Sequence, residues 1–150
     1  MTTSHPLIVL ADDDEDDCMF FKDALEELRL PVFLKTLNNG VELMNYLKEL
    51  ETDFPKVLFL DLNMPLKTGF ECLSEIKHCD KLRHLPVVIF TTSNNPTVIN
   101  KLFAEGADFF IRKPASFTNL KTVINKVVTL LDSNNGLPPK KDTFLIKPEN

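Results

Sequence analysis

Positive charge is in short supply in this 150-residue chain: 17 Lys and Arg stand against 22 Asp and Glu, a formal charge of −5. Nucleic-acid binding normally needs a basic face, so nucleic acid is not an expected partner. No apolar run approaches the roughly 20 residues of a membrane helix. The opening residues, MTTSHP, lack the basic and apolar segments of a secretory signal. The chain is therefore expected in the cytoplasm, with no membrane partner. Cysteine is scarce, and Cys18, Cys72 and Cys79 form no C-x-x-C pair. His5, His78 and His84 are too scattered to complete a ligand set with them. The expected cysteine role is packing, with Cys72 and Cys79 spaced to share one helix face. No internal repeat is present.

What is there is an alternation of short apolar runs with longer amphipathic ones, in a chain that is 43% hydrophobic. PLIVLA, VFLKTL, KVLFL, PVVIF and DFFIRK read as strands; VFLKTL is the most polar, as befits an edge, and KVLFL the most apolar. Between them, Phe20, Phe21, Ala24, Leu25 and Leu28 mark one helix face. Asn39 with Glu42 caps a second helix, and Thr68 with Glu71 forms a capping box for a third. Pro96 opens a fourth that Gly106 ends, and a fifth begins at Ser116. Five strands alternating with five helices imply an α/β fold. The expected form is a flavodoxin-like five-stranded parallel sheet, order 2-1-3-4-5, with helices on both faces. Residues 1–131 form that domain. Residues 132–150, DSNNGLPPKKDTFLIKPEN, read as an extended C-terminal tail whose TFLI packs on the domain or pairs with a partner's edge.

In open α/β sheets the ligand crevice lies beyond the carboxyl ends of the strands. Asp12 and Asp13 follow the first strand and Asp61 follows the third. Thr91 ends the fourth strand and Lys113 the fifth. Clustered carboxylates repel one another unless a cation neutralises them, and hard oxygen donors suit Mg²⁺. A carboxylate can attack phosphorus, and transfer then depends on positioning and on neutralising the phosphoryl oxygens. Taken singly, the acids read as a solvated helix start, Asp61 as a turn cap and Lys113 as a surface lysine. The joint placement carries the functional reading.

The stretches VLADDDEDD, LFLDLNMPLKTG, VVIFTTS and GADFFIRKPAS together resemble the receiver domain of two-component response regulators, over roughly residues 6–131. The resemblance implies that Asp61 is the phosphoacceptor, charged by a sensor histidine kinase or a histidine phosphotransfer protein. Asp12 and Asp13 match the acidic pair that holds Mg²⁺, and Asn63 matches the position that offers its backbone carbonyl. Thr91 matches the switch hydroxyl, Lys113 the phosphoryl-contacting lysine, and Phe110 the aromatic switch. Lys113–Pro114 matches a cis peptide. Asp12 replaces the commoner Glu, Thr92 stands where many receivers have alanine, and Phe110 lacks the phenol hydroxyl of tyrosine. TTS after the fourth strand and PAS after Lys113 are similar to receivers that stand alone or serve phytochrome-like kinases. Within the acidic run, Asp14 and Glu15 are expected on the loop rim. Asp16 and Asp17 are expected in a first helical turn favoured by the dipole.

The implied output is a phosphorylation-dependent contact with a downstream protein, or homodimerisation through the same surface. Two rivals remain at this level. An aspartate-nucleophile, Mg²⁺-dependent phosphohydrolase would need a D-x-D motif followed by Thr or Val, whereas Asp12-x-Asp14 is followed by Glu15. A flavin-binding or purely structural flavodoxin-like module would place a Ser/Thr/Gly-rich phosphate loop where this chain has acids.

Overall fold

The computed structural model describes residues 5–134 and 141–149. Strands β1 (Leu7–Ala11), β2 (Phe33–Leu37), β3 (Val57–Leu60), β4 (Val87–Thr91), β5 (Phe109–Arg112) and β6 (Leu145–Ile146) form one sheet, ordered β2-β1-β3-β4-β5-β6. Every pairing is parallel. Helices α1 (Glu15–Leu28), α2 (Gly40–Glu49), α3 (Gly69–Lys77), α4 (Pro96–Glu105) and α5 (Phe117–Asn134) connect or follow the first five strands, and the short α6 (Lys141–Phe144) leads into β6.

Residue alternation divides the core into two layers. Val9 and Ala11 of β1 pack with Leu43, Leu47, Leu73, Ile76 and Leu102, on the α2, α3 and α4 side. Ile8 and Leu10 pack on the other side with Phe21, Ala24, Leu25, Val123 and Ile124 of α1 and α5. A sheet covered on both faces needs strands apolar at every position, and all four residues of β3 are buried. β2 buries only Leu37 fully, as its polar sequence predicts for an edge. On the α1 side Phe21, Phe59 and Phe90 meet edge to face, with ring centroids 4.9–6.2 Å apart. Each such pair adds roughly 0.5–1.5 kcal/mol to simple burial.

The expected helix signals operate. Asn39 Oδ1 accepts from the Glu42 N–H at 2.8 Å, and Thr68 and Glu71 form a reciprocal capping box. Gly106 ends α4 with φ 104°, a left-handed conformation that suits glycine.

Two expectations change. Helix α3 stops at Lys77, so Cys79 lies beyond it and does not share a helix face with the buried Cys72. The described part of the expected tail is docked: α5 runs on to Asn134, and β6 adds to the exposed edge of β5, with Leu145 opposite Phe110 and Ile146 opposite Ile111. Phe144, at the end of α6, is buried in the layer on the α2, α3 and α4 side and Ile146 in the layer on the α1 and α5 side, and the Phe144 ring lies 5.1 Å from Phe103 and 6.3 Å from Phe110. TFLI thus packs on its own domain.

Candidate functional site

The sheet ladder itself assembles the site. Just past β1, the Asp12 N–H donates to the Leu37 carbonyl at 3.0 Å, and the Asp61 N–H donates to the Ala11 carbonyl at 3.0 Å. These bonds continue the parallel pairing beyond the strand ends and set Asp12 and Asp61 side by side. The Lys113 N–H, one residue beyond β5, donates to the Thr91 carbonyl at 2.7 Å. Gly69 then pins the loop after Asp61: its N–H bonds to the Leu62 carbonyl, and a Cβ there would lie 2.2 Å from the Asp61 carbonyl oxygen. The loop turns through Leu66, which is exposed and held at φ 70°, a costly angle for a residue with a side chain.

Among the described residues, the buried polar or charged side chains are Asp12, Asp61 and Thr91. All three stand at the carboxyl edge of the sheet. One carboxylate oxygen from each of Asp12, Asp13 and Asp61 lies within 4.8 Å of the other two. Lys113 Nζ sits among the acids, 2.8 Å from Asp12 Oδ2, 2.8 Å from Asp17 Oδ2 and 3.4 Å from Asp61 Oδ2. The approach to Asp12 Oδ2 is an ion pair without hydrogen-bond alignment, so that oxygen keeps an unfilled acceptor position; Thr91 Oγ1 likewise has no hydrogen-bond partner. Burial pushes the Asp61 carboxyl up to about 6, against the attraction of Lys113. Burial also raises Asp12, with Lys113 again opposing. The Lys113 ammonium is pulled down by burial, but its contacts with Asp12 and Asp17 outweigh that and hold it above the ordinary lysine range.

This donor set fits a divalent cation. Three carboxylates share one edge with a single ammonium, hard oxygens point to Mg²⁺ or Mn²⁺, and a buried Asp12 oxygen lacks a hydrogen-bond partner. Thr91 Oγ1 is a donor in want of an acceptor, which a phosphoryl oxygen would supply.

The remaining site residues fall as follows. The Asn63 N–H points toward Asp61 Oδ1 at 3.4 Å. Phe110 lies inside β5, buried, opposite Ile89 of β4. The Lys113–Pro114 peptide is trans, correcting the expected cis bond: no described peptide bond is cis. Proline makes cis accessible without requiring it, and the lysine reaches the acids from a trans bond. Asp14 is not a free rim residue. Its Oδ1 accepts from the Asp16 and Asp17 N–H groups at 2.9 and 3.1 Å, capping α1, and Glu15 already belongs to the helix. An Asp14 committed to the backbone is no second catalytic acid, which removes the D-x-D phosphohydrolase reading. Asp17 escaped the sequence reading as a site residue. The available signal was its place one helical turn after Asp13 and Asp14, which returns it to the pocket side. Cys18 and Cys72 are each pushed up to about 11 by burial, in keeping with inert packing.

The response regulator receiver domain family matches residues 8–125. The probable methanogenesis regulatory protein FilR2 of Methanothrix harundinacea is 30% identical over 124 residues, covering 81% of this chain and 80% of FilR2. The phosphorylated cyanobacterial phytochrome response regulator RcpA superposes with a TM-score of 0.78 at 29% identity, over 91% of this chain and 99% of RcpA. The Mn²⁺-bound form of response regulator Rcp1 superposes with a TM-score of 0.76 at 25% identity, over 90% of this chain and 99% of that one. Plant two-component response regulators match over a smaller share of their length, 62% for ARR17 and 40% for ARR16 of Arabidopsis thaliana. No described helix is long and apolar enough to cross a membrane. With its acidic edge, its sheet order and a family match across most of its length, the chain belongs to the response regulator receiver domains, which are signalling modules rather than enzymes.

Proposed function

We propose that this chain is a stand-alone, single-domain response regulator that takes a phosphoryl group onto Asp61. The donor is the phosphohistidine of a sensor histidine kinase or of a histidine phosphotransfer protein, met in the cytoplasm. One observation carries the reading: among the described residues, the buried polar side chains, Asp12, Asp61 and Thr91, converge on one sheet edge beside Lys113. The phosphorylated state of RcpA and the Mn²⁺-bound state of Rcp1 support it by likeness.

Asp12, Asp13 and Asp61 would hold Mg²⁺, with the Asn63 backbone carbonyl as the further ligand that the family resemblance implies. When bound, Mg²⁺ supplies positive charge against the phosphoryl oxygens. The ionised Asp61 carboxylate attacks phosphorus, the P–N bond breaks, and the imidazole leaves with the electron pair and takes up a proton. Lys113 offsets charge on one phosphoryl oxygen, and the Thr91 hydroxyl donates a hydrogen bond to another.

The product replaces the single carboxylate charge of Asp61 with an acyl phosphate of about −2, adding about one negative charge and three phosphoryl oxygens to the pocket. That charge draws in Thr91 and Lys113 and biases the surface formed by α4, β5 and α5. Phe110 lies in that region under Phe144, so its repacking would shift the C-terminal segment with it. Output is then an altered contact with a downstream protein or with a second copy. Incubation with Mg²⁺ and a small phosphoramidate donor, read by intact mass, should give one phosphoryl adduct that chelation with EDTA prevents. An adduct formed equally well in EDTA would overturn the assignment of the three acids.

A further inference from the structure

The geometry points to Asp17 as a positioning residue: it is the counter-ion that receives the Lys113 ammonium when a divalent cation occupies the acidic cluster. This inference rests on the receiver reading above and deepens it.

Lys113 Nζ is shared among three carboxylates, and two of them, Asp12 and Asp61, belong to the cation cluster. A cation binding there competes directly with the lysine. Asp17 is different. It contacts Lys113 at 2.8 Å but is not among the clustered acids, and its side chain is 38% exposed while that of Asp12 is fully buried. Its backbone is fixed by the Asp14 cap, so the carboxylate has a defined station in the first turn of α1.

There is also room on that side. The Lys113 ammonium lies 5.6 Å from the centre of the Phe90 ring, a favourable cation–π placement. A cavity of about 20 Å³, lined by Asp17, Phe20, Phe90, Lys113, Pro114 and Leu120, borders this group and touches none of the three clustered acids. Lys113 can therefore leave Asp12 without leaving the site, staying within reach of a phosphoryl group on Asp61. Without Asp17, displacing the lysine would strand its charge.

The test is Mn²⁺ binding to the full chain, followed by electron paramagnetic resonance, with no phosphodonor present. Asp17→Asn should weaken Mn²⁺ binding about 3- to 10-fold more than Asp16→Asn, the exposed neighbour without a Lys113 contact. Asp17→Glu should bind close to wild type. In a Lys113→Ala background, Asp17→Asn and Asp16→Asn should have equal effects, since no lysine remains to be displaced. Equal effects in the wild-type background, or an Asp17 effect that persists without Lys113, would overturn the inference while leaving the receiver reading intact. A wild-type chain that binds no Mn²⁺ would overturn both.

Discussion

The two sides of strand β5 are built on opposite principles. At its carboxyl end, Lys113 enters a pocket where Asp12 and Thr91 each keep a buried oxygen without a hydrogen-bond partner. Along its outer edge, β6 completes the ladder, and Phe144 closes over Phe103 and Phe110. The edge contributes stability, and the pocket costs it. Unsatisfied groups in a buried pocket persist because an incoming cation and phosphoryl group satisfy them. A closed apolar edge needs nothing further.

Substitutions on the two sides should accordingly move stability in opposite directions. The largest change is expected at the edge. Phe144→Ala removes a buried ring and should cost about 3 kcal/mol in chemical denaturation. Phosphoryl uptake by the folded fraction should stay within about twofold, because the ring contacts of Phe144 are with Phe103 and Phe110 rather than with the acids. A lost uptake with full stability would mean that the two regions are one unit.

Asp61→Asn should do the reverse. The folded-state carboxyl is raised to about 6, above its ordinary value of 3.8. The native state therefore holds the proton more tightly than the unfolded chain, and metal-free stability falls as pH rises from about 4 to about 6. Removing the charge should make Asp61→Asn more stable than wild type at pH 7, by about 1–3 kcal/mol without metal. The difference should be smallest below pH 4, and millimolar Mg²⁺ should narrow it at pH 7 by stabilising the wild type. Calorimetry across that pH range would show it. A variant less stable than wild type at pH 7 in EDTA would contradict the desolvated pocket.

The smallest effect is at Thr91. Thr91→Val keeps the shape and deletes the unpartnered hydroxyl, so stability should hold or rise by about 1 kcal/mol. The adduct on Asp61 should still form, while its effect on partner contact weakens. A loss of several kcal/mol would show that the hydroxyl already has a partner in solution.

The strands and the pocket were legible in the sequence because each rests on local pattern. Apolar runs such as KVLFL need burial on both faces, and Asp12, Asp61, Thr91 and Lys113 sit at the ends of those runs. The capping pairs at Asn39 and Thr68 were legible for the same reason. What escaped depends on contacts between distant segments. Helical spacing returns Asp17 to the pocket side, but nothing in DFFIRK or EDDCMF tells that it meets Lys113 across 96 positions of sequence. Which of its two expected fates TFLI takes turns on an open β5 edge that only the assembled sheet reveals. The trans bond at Pro114 is a choice between two accessible isomers that composition leaves open. Asp14 is the exception, since an Asp just before a helical run is a local cap signal that the surrounding acids obscured.

The central claim is that one carboxylate, Asp61, receives the phosphoryl group. Borohydride reduces an acyl phosphate to the alcohol, marking the modified aspartate as homoserine. After phosphorylation with Mg²⁺, reduction and peptide mass mapping, homoserine should occur at position 61 and nowhere else in the acidic set. Homoserine at position 12 or 13, or a phosphorylated chain with none at position 61, would contradict it.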